Sequence, residues 1–119
     1  MPELPEVETI VNRIRPSLKE RTITNVTMLW EKTVCTPHDD FMRNIMQQKI
    51  MLVGRRGKYL RFTLSHENTL LIHLRMSGKI TVQAKHEPLH KHVRLYFDLN
   101  KQDVYLLYQN ILLKIVGSQ

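Results

Sequence analysis

The first residues of the chain, MPELPEVETI, place a proline directly before an acid at the amino terminus. If Met1 is removed, Pro2 presents a free secondary amine. An α-amine has a pKa of about 7.7–8.0, so part of it is unprotonated and nucleophilic near neutral pH. A secondary amine that attacks C1′ of a sugar forms an iminium ion, which has no N–H proton to lose and persists as an electron sink. Glu3 adjoins the amine and can act as a general acid. The pair predicts Schiff-base chemistry, and the alternative is a common second-residue proline beside a solvated acid.

The segment GRRGKYL at 54–60 gathers cations around a turn. Lys58 follows Gly-Arg-Arg-Gly, so its ammonium group is mobile and lies beside the charges of Arg55 and Arg56. This arrangement suits a site that acts on an anion, but it is also typical of a solvated surface turn.

Met76 and a group of histidines offer further candidates. Met76 follows LIHLR, where a flexible thioether fits either an apolar wedge that unstacks bases or a core residue at a strand end. His86, His90 and His92 could suggest a metal site, but no cysteine or well-placed carboxylate completes a ligand set. Cys35 is the single cysteine, so zinc-binding CxxC pairs are excluded. We therefore expect no metal site.

Net charge and length limit the classes of partner and the number of domains. The chain has 18 Lys+Arg against 11 Asp+Glu and a net charge of +7, which predicts a polyanionic partner such as nucleic acid or an anionic membrane surface. No apolar run approaches the roughly 20 residues that span a bilayer, and the amino terminus lacks the order of a signal peptide. We expect a cytoplasmic protein whose 119 residues form one domain over 1–119.

Two short helices are predicted. The first is amphipathic and runs from about Pro5 until Pro16 disturbs it. Its apolar residues at helical spacing are Val7, Ile10, Val11 and Ile14. The second helix covers TPHDDFMRNIMQQ at 36–48, with Thr36 as the N-cap and Pro37 at the first helical position. Its inward residues are expected to be Phe41, Met42 and Ile45.

Alternating apolar residues predict a chain rich in strands, each with one apolar, buried face. The predicted strands lie at 22–30, 49–54, 58–65, 69–76, 79–84, 92–99 and 103–108, and ILLKIV at 111–116 has the character of a further one. Many short strands with two flanking helices favour the α+β class. We expect a β-sandwich or flattened barrel of about seven to eight mostly antiparallel strands.

Four motifs in order, MPELPEVETI, GRRGKYL, IHLRMSGK (72–79) and HKHV (90–93), resemble the N-terminal domain of bacterial formamidopyrimidine-DNA glycosylases, which excise oxidised purines. The resemblance covers the chain to about residue 108. It implies that Pro2 is the Schiff-base nucleophile, that Glu3 is the proton donor and that Glu6 supports the site. It also implies that Lys58 assists β-elimination and contacts the phosphate beside the lesion.

The same resemblance implies DNA contacts elsewhere in the chain. Met76 matches the residue that fills the gap left by a flipped nucleotide, and His73 and His90 match histidines that contact phosphates. The arginines Arg55, Arg56 and Arg75 can add to this electrostatic footprint. The implied partners are damaged double-stranded DNA and abasic-site DNA, with no membrane and with the protein as a monomer in the bacterial cytoplasm.

The chain departs from the family pattern after LLY at 106–108. The family reads close to Asp-x-Arg-Arg/Lys-Phe-Gly, whereas QNILLKIVGSQ follows here. Leu112 and Leu113 fall where the basic pair belongs, and Lys114 where the aromatic residue belongs. The family's helix-two-turn-helix motif and zinc finger have no counterpart, so no zinc cofactor is expected. Two hypotheses remain: a weakened glycosylase and AP lyase for formamidopyrimidine and 8-oxoguanine, or a catalytically silent DNA-binding or interaction remnant.

Overall fold

The computed structural model describes residues 4–75, 78–84, 86–89, 91–100, 104–109 and 112–117. Two helices and eight strands occur in this part of the chain, with a 3-10 turn at Glu31–Thr33. The helices are α1 (Leu4–Leu18) and α2 (His38–Ile45). The strands are β1 (Ile23–Met28), β2 (Ile50–Arg56), β3 (Tyr59–Leu64), β4 (Asn68–His73), β5 (Lys79–Ala84), β6 (Leu95–Leu99), β7 (Val104–Gln109) and β8 (Leu112–Gly117).

The strands form two four-stranded antiparallel sheets, ordered β1-β6-β7-β5 and β2-β3-β4-β8. Burial alternates along β3 and β6, as expected when one face of each strand points into a core. Phe62 of β3 and Phe97 of β6 are both fully buried in one continuous apolar cluster. The predicted α+β sandwich is confirmed, and its eighth strand, Leu112–Gly117, begins within the ILLKIV segment.

Helix α1 packs mainly against β2 and covers that edge of the core. Its buried residues are Val7, Val11, Ile14 and Leu18, and Ile10 packs against the same cluster while partly exposed. The prediction that Pro16 disturbs the helix is wrong, because α1 continues to Leu18. A proline removes one backbone donor, but Leu18 is fully buried and Lys19 N–H donates to the Arg15 carbonyl at 3.0 Å. Burial of Leu18 therefore holds the last turn in place.

Helix α2 buries Phe41 and Ile45 as predicted and half-buries Met42, but it begins differently. Pro37 occupies the N-cap position, so the prediction of Thr36 as the N-cap is wrong. The Thr36 hydroxyl instead accepts a hydrogen bond from the Ile115 backbone N–H at 2.9 Å. The Thr36 hydroxyl, which local rules assign to capping the helix, is therefore occupied by a backbone N–H on the outer edge of β8.

Strand β2 breaks the expected alternation. Its burial pattern leaves Ile50 and Val53 inward and Met51 and Leu52 exposed, since the pairing with β3 shifts between Ile50 and Leu52. A β-bulge of this kind inserts one residue and reverses the facing of everything that follows. Beyond the bulge, Arg55 pairs with the buried Leu60, so it lies on the core side of the sheet.

Candidate nucleic-acid interface

The β2–β3 turn presents Lys58 to solvent. Arg56 pairs with Tyr59 across the two strands, which leaves only Gly57 and Lys58 in the connection. Gly57 has φ of +61°, which suits the first position of a type II′ turn, where glycine is favoured. The turn geometry thus depends on Gly57 and holds the Lys58 side chain, which is exposed, at the tip of the hairpin.

Two contacts fix the direction of α1 along β2. Arg15 Nε donates to the Val53 carbonyl at 3.1 Å, and Arg55 Nε pairs with Glu8 Oε2 at 2.7 Å. The start of the helix therefore lies toward the β2–β3 turn, and its end lies away from it. Glu6, exposed in the first turn of α1, belongs to the same end of the molecule as Lys58.

The end of β4 comes to this same end of the sheet. His73 is the cross-strand partner of Tyr59, and their rings meet edge-on with centroids 5.2 Å apart. Leu74 is buried immediately afterwards, and Arg75 lies exposed in a turn with φ of +59°. His73 and Arg75 thus lie at the end of the sheet that carries the Lys58 turn.

The proton on His73 can be assigned from its contacts. The Arg75 backbone N–H donates to His73 Nδ1 at 3.1 Å, so Nδ1 is an acceptor and the neutral ring carries its proton on Nε2. Burial, followed by the positive charges of Arg75 and Lys58, lowers the pKa of His73 below its usual 6.5. His73 is therefore a neutral Nε2–H donor at neutral pH, which suits a phosphate oxygen.

The structure separates the two neighbouring arginines of the turn. Arg55 is paired with Glu8 and also donates to the Gly57 carbonyl at 3.2 Å, so it braces the hairpin against α1. Arg56 lies on the opposite side of the sheet with Tyr59 and His73, and it is exposed. Of the two arginines in this turn, Arg56 is therefore the one that shares the surface of His73.

Four predicted site residues, Pro2, Glu3, Met76 and His90, lie outside the described residues. Their roles stay predictions. In the described part of the chain, no group of three His, Cys, Asp or Glu side chains is arranged to hold a metal ion. No helix in that part is long and apolar enough to cross a membrane.

Sequence reasoning missed cations and an aromatic residue on the outer face, the side of sheet β2-β3-β4-β8 that faces away from the core. Tyr59 and Arg61 alternate with the buried Leu60 and Phe62 along β3, so both lie on the outer face. Lys114 lies there as well, in the register of Leu71. The alternation in KYLRFTLS was the available signal, because it marks every second residue as outward.

Comparisons with known proteins identify the family of the chain. The family model "Formamidopyrimidine-DNA glycosylase N-terminal domain" matches residues 1–110. The formamidopyrimidine-DNA glycosylase of Pelotomaculum thermopropionicum is 42% identical over 101 residues, which cover 84% of this chain and 37% of the relative. That of Chloroflexus aurantiacus is 43% identical over 101 residues, covering 84% and 36%. The chain therefore spans little more than a third of the length of these curated relatives.

Solved structures give the same result for the fold. The crystal structure of the wild-type Lactococcus lactis enzyme with DNA containing N7-benzyl-Fapy-dG matches with a TM-score of 0.91 at 27% identity. It covers 98% of this chain and 44% of that one. The L. lactis enzyme bound non-covalently to DNA with an AP site matches with a TM-score of 0.90 at 27% identity, covering 98% and 45%. The chain belongs to the formamidopyrimidine-DNA glycosylase family and has the fold of its N-terminal domain.

Proposed function

We propose that this chain carries the catalytic chemistry of a DNA glycosylase and AP lyase for oxidised purines, with formamidopyrimidine and 8-oxoguanine as the substrate class. The observation that carries the proposal is the gathering of Lys58, His73 and Arg75 at the end of the sheet where α1 begins. Lys58 comes from the β2–β3 turn and His73 and Arg75 come from the end of β4, so together with the start of α1 three separate segments of the sequence meet here. Their juxtaposition next to the segment that follows Pro2 and Glu3 is what the chemistry of a terminal amine requires.

In this proposal the amine of Pro2 attacks C1′ of the damaged nucleotide after removal of Met1. Glu3 donates a proton so that the base leaves as a neutral molecule, and the Pro2 nitrogen takes its place on C1′. The C1′–O4′ bond then breaks while O4′ takes up the proton that the Pro2 nitrogen loses, which opens the sugar ring and leaves an iminium ion between Pro2 and C1′. Loss of a C2′ proton then forms a C2′–C3′ double bond while the C3′–O bond breaks and the 3′ phosphate departs. Glu6 supports the acid, and Lys58 assists this elimination while it contacts the phosphate beside the lesion.

The binding partner in this proposal is damaged double-stranded or abasic DNA, held mainly through phosphates. His73 offers its Nε2–H, and Arg56, Arg75 and Lys58 supply positive charge on the same end of the molecule. We assign the phosphate role of the second histidine to His90. Met76 fills the space left by the flipped nucleotide. The protein works as a monomer in the bacterial cytoplasm and uses no metal cofactor within these 119 residues.

Borohydride trapping tests the proposal directly. Hydride reduces the iminium between Pro2 and an abasic site to a stable amine, so a covalent protein–DNA band appears on a denaturing gel. We expect slow trapping on an abasic duplex at high protein concentration and little excision of 8-oxoguanine. Lys58→Gln is expected to slow strand cleavage more than trapping. Lys19→Gln removes the same charge just beyond the far end of α1, about 20 Å away at 1.5 Å per residue, and serves as its control.

Two forms of the terminus make the result specific. Pro2→Gly keeps a primary amine and retains some trapping, whereas a chain that keeps Met1 has an amide at Pro2 and gives no adduct there. If the chain with a verified Pro2 terminus binds abasic DNA and still forms no adduct, the enzymatic proposal fails. The catalytically silent DNA-binding module then stands in its place.

A further inference from the structure

The outer face of sheet β2-β3-β4-β8 carries two cations, Arg61 and Lys114, beyond the Arg56 and His73 that the proposed function already uses. One row across the strands contains Arg56, Tyr59 and His73 in direct register. The next row contains Arg61, Leu71 and Lys114. Directly opposed residues share a face, so the three cations project from one surface. Neither row includes an acid.

Lys114 is joined to the site by aromatic contacts. Its Nζ lies 5.2 Å from the centroid of the Tyr59 ring, and the Tyr59 and His73 centroids are also 5.2 Å apart. The Lys114 ammonium is therefore within about 10 Å of the His73 ring. Among the described residues it forms no ion pair with a carboxylate, since the two ion pairs found there involve other side chains. Its charge is held in position by a neutral aromatic face.

A pocket lies beside the Lys114 ammonium and the rings of Tyr59 and His73. It has a volume of about 220 Å³ and is lined by Cys35, Tyr59, His73, Leu113 and Lys114. This space is larger than the share of about 30 Å³ that one water molecule takes and can admit a phosphate group. The Lys114 ammonium offers donors to such an anion, and none of the described residues that line the pocket is acidic.

We propose that Lys114, held against the Tyr59 ring beside His73, forms a second phosphate-binding position for the DNA backbone on the outer face, next to the phosphate assigned to His73. This inference rests on the proposed function and extends its binding surface from the Lys58 turn across β4 to β8. Each DNA strand carries one phosphate per 3.4 Å of helix axis, so a separation of about 10 Å covers only a few successive phosphates. Lys114 lies beyond residues 1–110, which the family model matches.

The salt dependence of DNA binding tests the role of Lys114. Each phosphate contact contributes about 0.9 to the slope of log K against log salt concentration. Lys114→Gln is therefore expected to reduce the slope by about 0.9, which is about a threefold smaller loss of affinity between 50 and 200 mM salt. Lys114→Arg is expected to restore the slope. The control Lys19→Gln is expected to leave it unchanged, and thermal melting checks that each variant is folded.

Cys35 reports on the pocket itself. It is exposed, lines the pocket and is the only cysteine in the sequence, so alkylation by iodoacetamide has a single product. We expect saturating abasic duplex to slow alkylation at least fivefold, and inorganic phosphate at equal ionic strength to leave the rate unchanged. Protection by inorganic phosphate alone would identify a pocket for small anions and overturn the assignment to DNA.

The proposal requires both the smaller salt slope of Lys114→Gln and the protection of Cys35 by bound DNA. If Lys114→Gln keeps the full slope, or if bound DNA leaves Cys35 as reactive as in the free chain, the second phosphate position is wrong. Trapping at Pro2 does not depend on either readout, so the proposed function survives that failure. If the wild-type chain binds no abasic DNA at any salt concentration, both proposals fall together.

Discussion

Arg55 and Arg56 are adjacent and carry the same charge, but the structure predicts opposite consequences for their replacement by glutamine. Arg55 pairs with Glu8 at 2.7 Å and donates to the Gly57 carbonyl, whereas Arg56 projects from the outer face. Arg55→Gln and Arg56→Gln change the net charge equally. Any difference between the two variants therefore reports where each side chain points.

The expected magnitudes follow from exposure and contact. The Arg55 and Glu8 side chains are 37% and 48% exposed, so their ion pair is screened and contributes roughly 0.2–1 kcal/mol. With the 3.2 Å hydrogen bond to Gly57, we expect Arg55→Gln to cost about 1 kcal/mol, or about 4 °C in Tm. Arg56→Gln is expected to change stability by less than about 0.5 kcal/mol. It should instead lower the salt slope of DNA binding by about 0.9.

Urea unfolding and fluorescence anisotropy with a labelled abasic duplex measure the two effects separately. Glu8→Gln is the matched control, because it breaks the same ion pair but releases the Arg55 charge. We expect Glu8→Gln to lose similar stability and to strengthen DNA binding. The Glu8→Gln/Arg55→Gln double variant is expected to lose less stability than the sum of the two single losses. Equal losses of salt slope in the two arginine variants, with no difference in stability, would refute the facing that we assign.

Three further predictions follow from single residues. Phe62→Ala removes a fully buried ring and is expected to cost about 3–5 kcal/mol in urea unfolding, whereas Thr63→Ala on the outer face should cost less than about 0.5; similar losses would contradict the core assignment. Gly57→Ala places a side chain at a backbone φ of +61°, so we expect it to lower the free energy of unfolding by about 1–2 kcal/mol and to slow strand cleavage. An unchanged Tm would argue against the turn conformation assigned to Gly57. His73 has a lowered pKa in the folded chain, so the unfolded chain takes up its proton more readily as pH falls below about 6.5. The wild type should therefore lose more stability than His73→Gln between pH 7 and 5.5, and equal losses would exclude the lowered pKa.

The buried face of α1 could be predicted from the sequence, because its apolar residues follow helical spacing. The residues Val7, Val11 and Ile14 repeat at three and four positions, and all three are buried as expected. The end of the helix was not predictable in the same way. Proline has a local cost that is visible in the sequence, but the burial of Leu18 two residues later is a tertiary effect.

The N-cap of α2 likewise depends on a tertiary contact that the local sequence does not show, here a hydrogen bond. Thr36 precedes Pro37 and a segment with Phe41, Met42 and Ile45 at helical spacing, which is the usual pattern for a capping side chain. Its hydroxyl is used by Ile115, 79 positions away in the sequence, because the edge of β8 has a backbone donor to satisfy. Local rules identify a side chain that accepts hydrogen bonds, but only the folded chain decides which donor it meets.

Which side of the sheet Arg55 and Arg56 occupy depends on the extra residue of a β-bulge, and the local sequence pattern does not reveal this bulge. Regular alternation from the buried Ile50 would place Arg56 toward the core and Arg55 outward. The bulge between Ile50 and Leu52 reverses that order, so Arg55 reaches Glu8 and Arg56 joins His73 on the outer face. A β-bulge is a feature of pairing between two strands, and the sequence of β2 alone shows only a run of apolar residues. The electrostatic footprint that we propose for DNA binding is consequently set by sheet register as much as by the number of arginines in the turn.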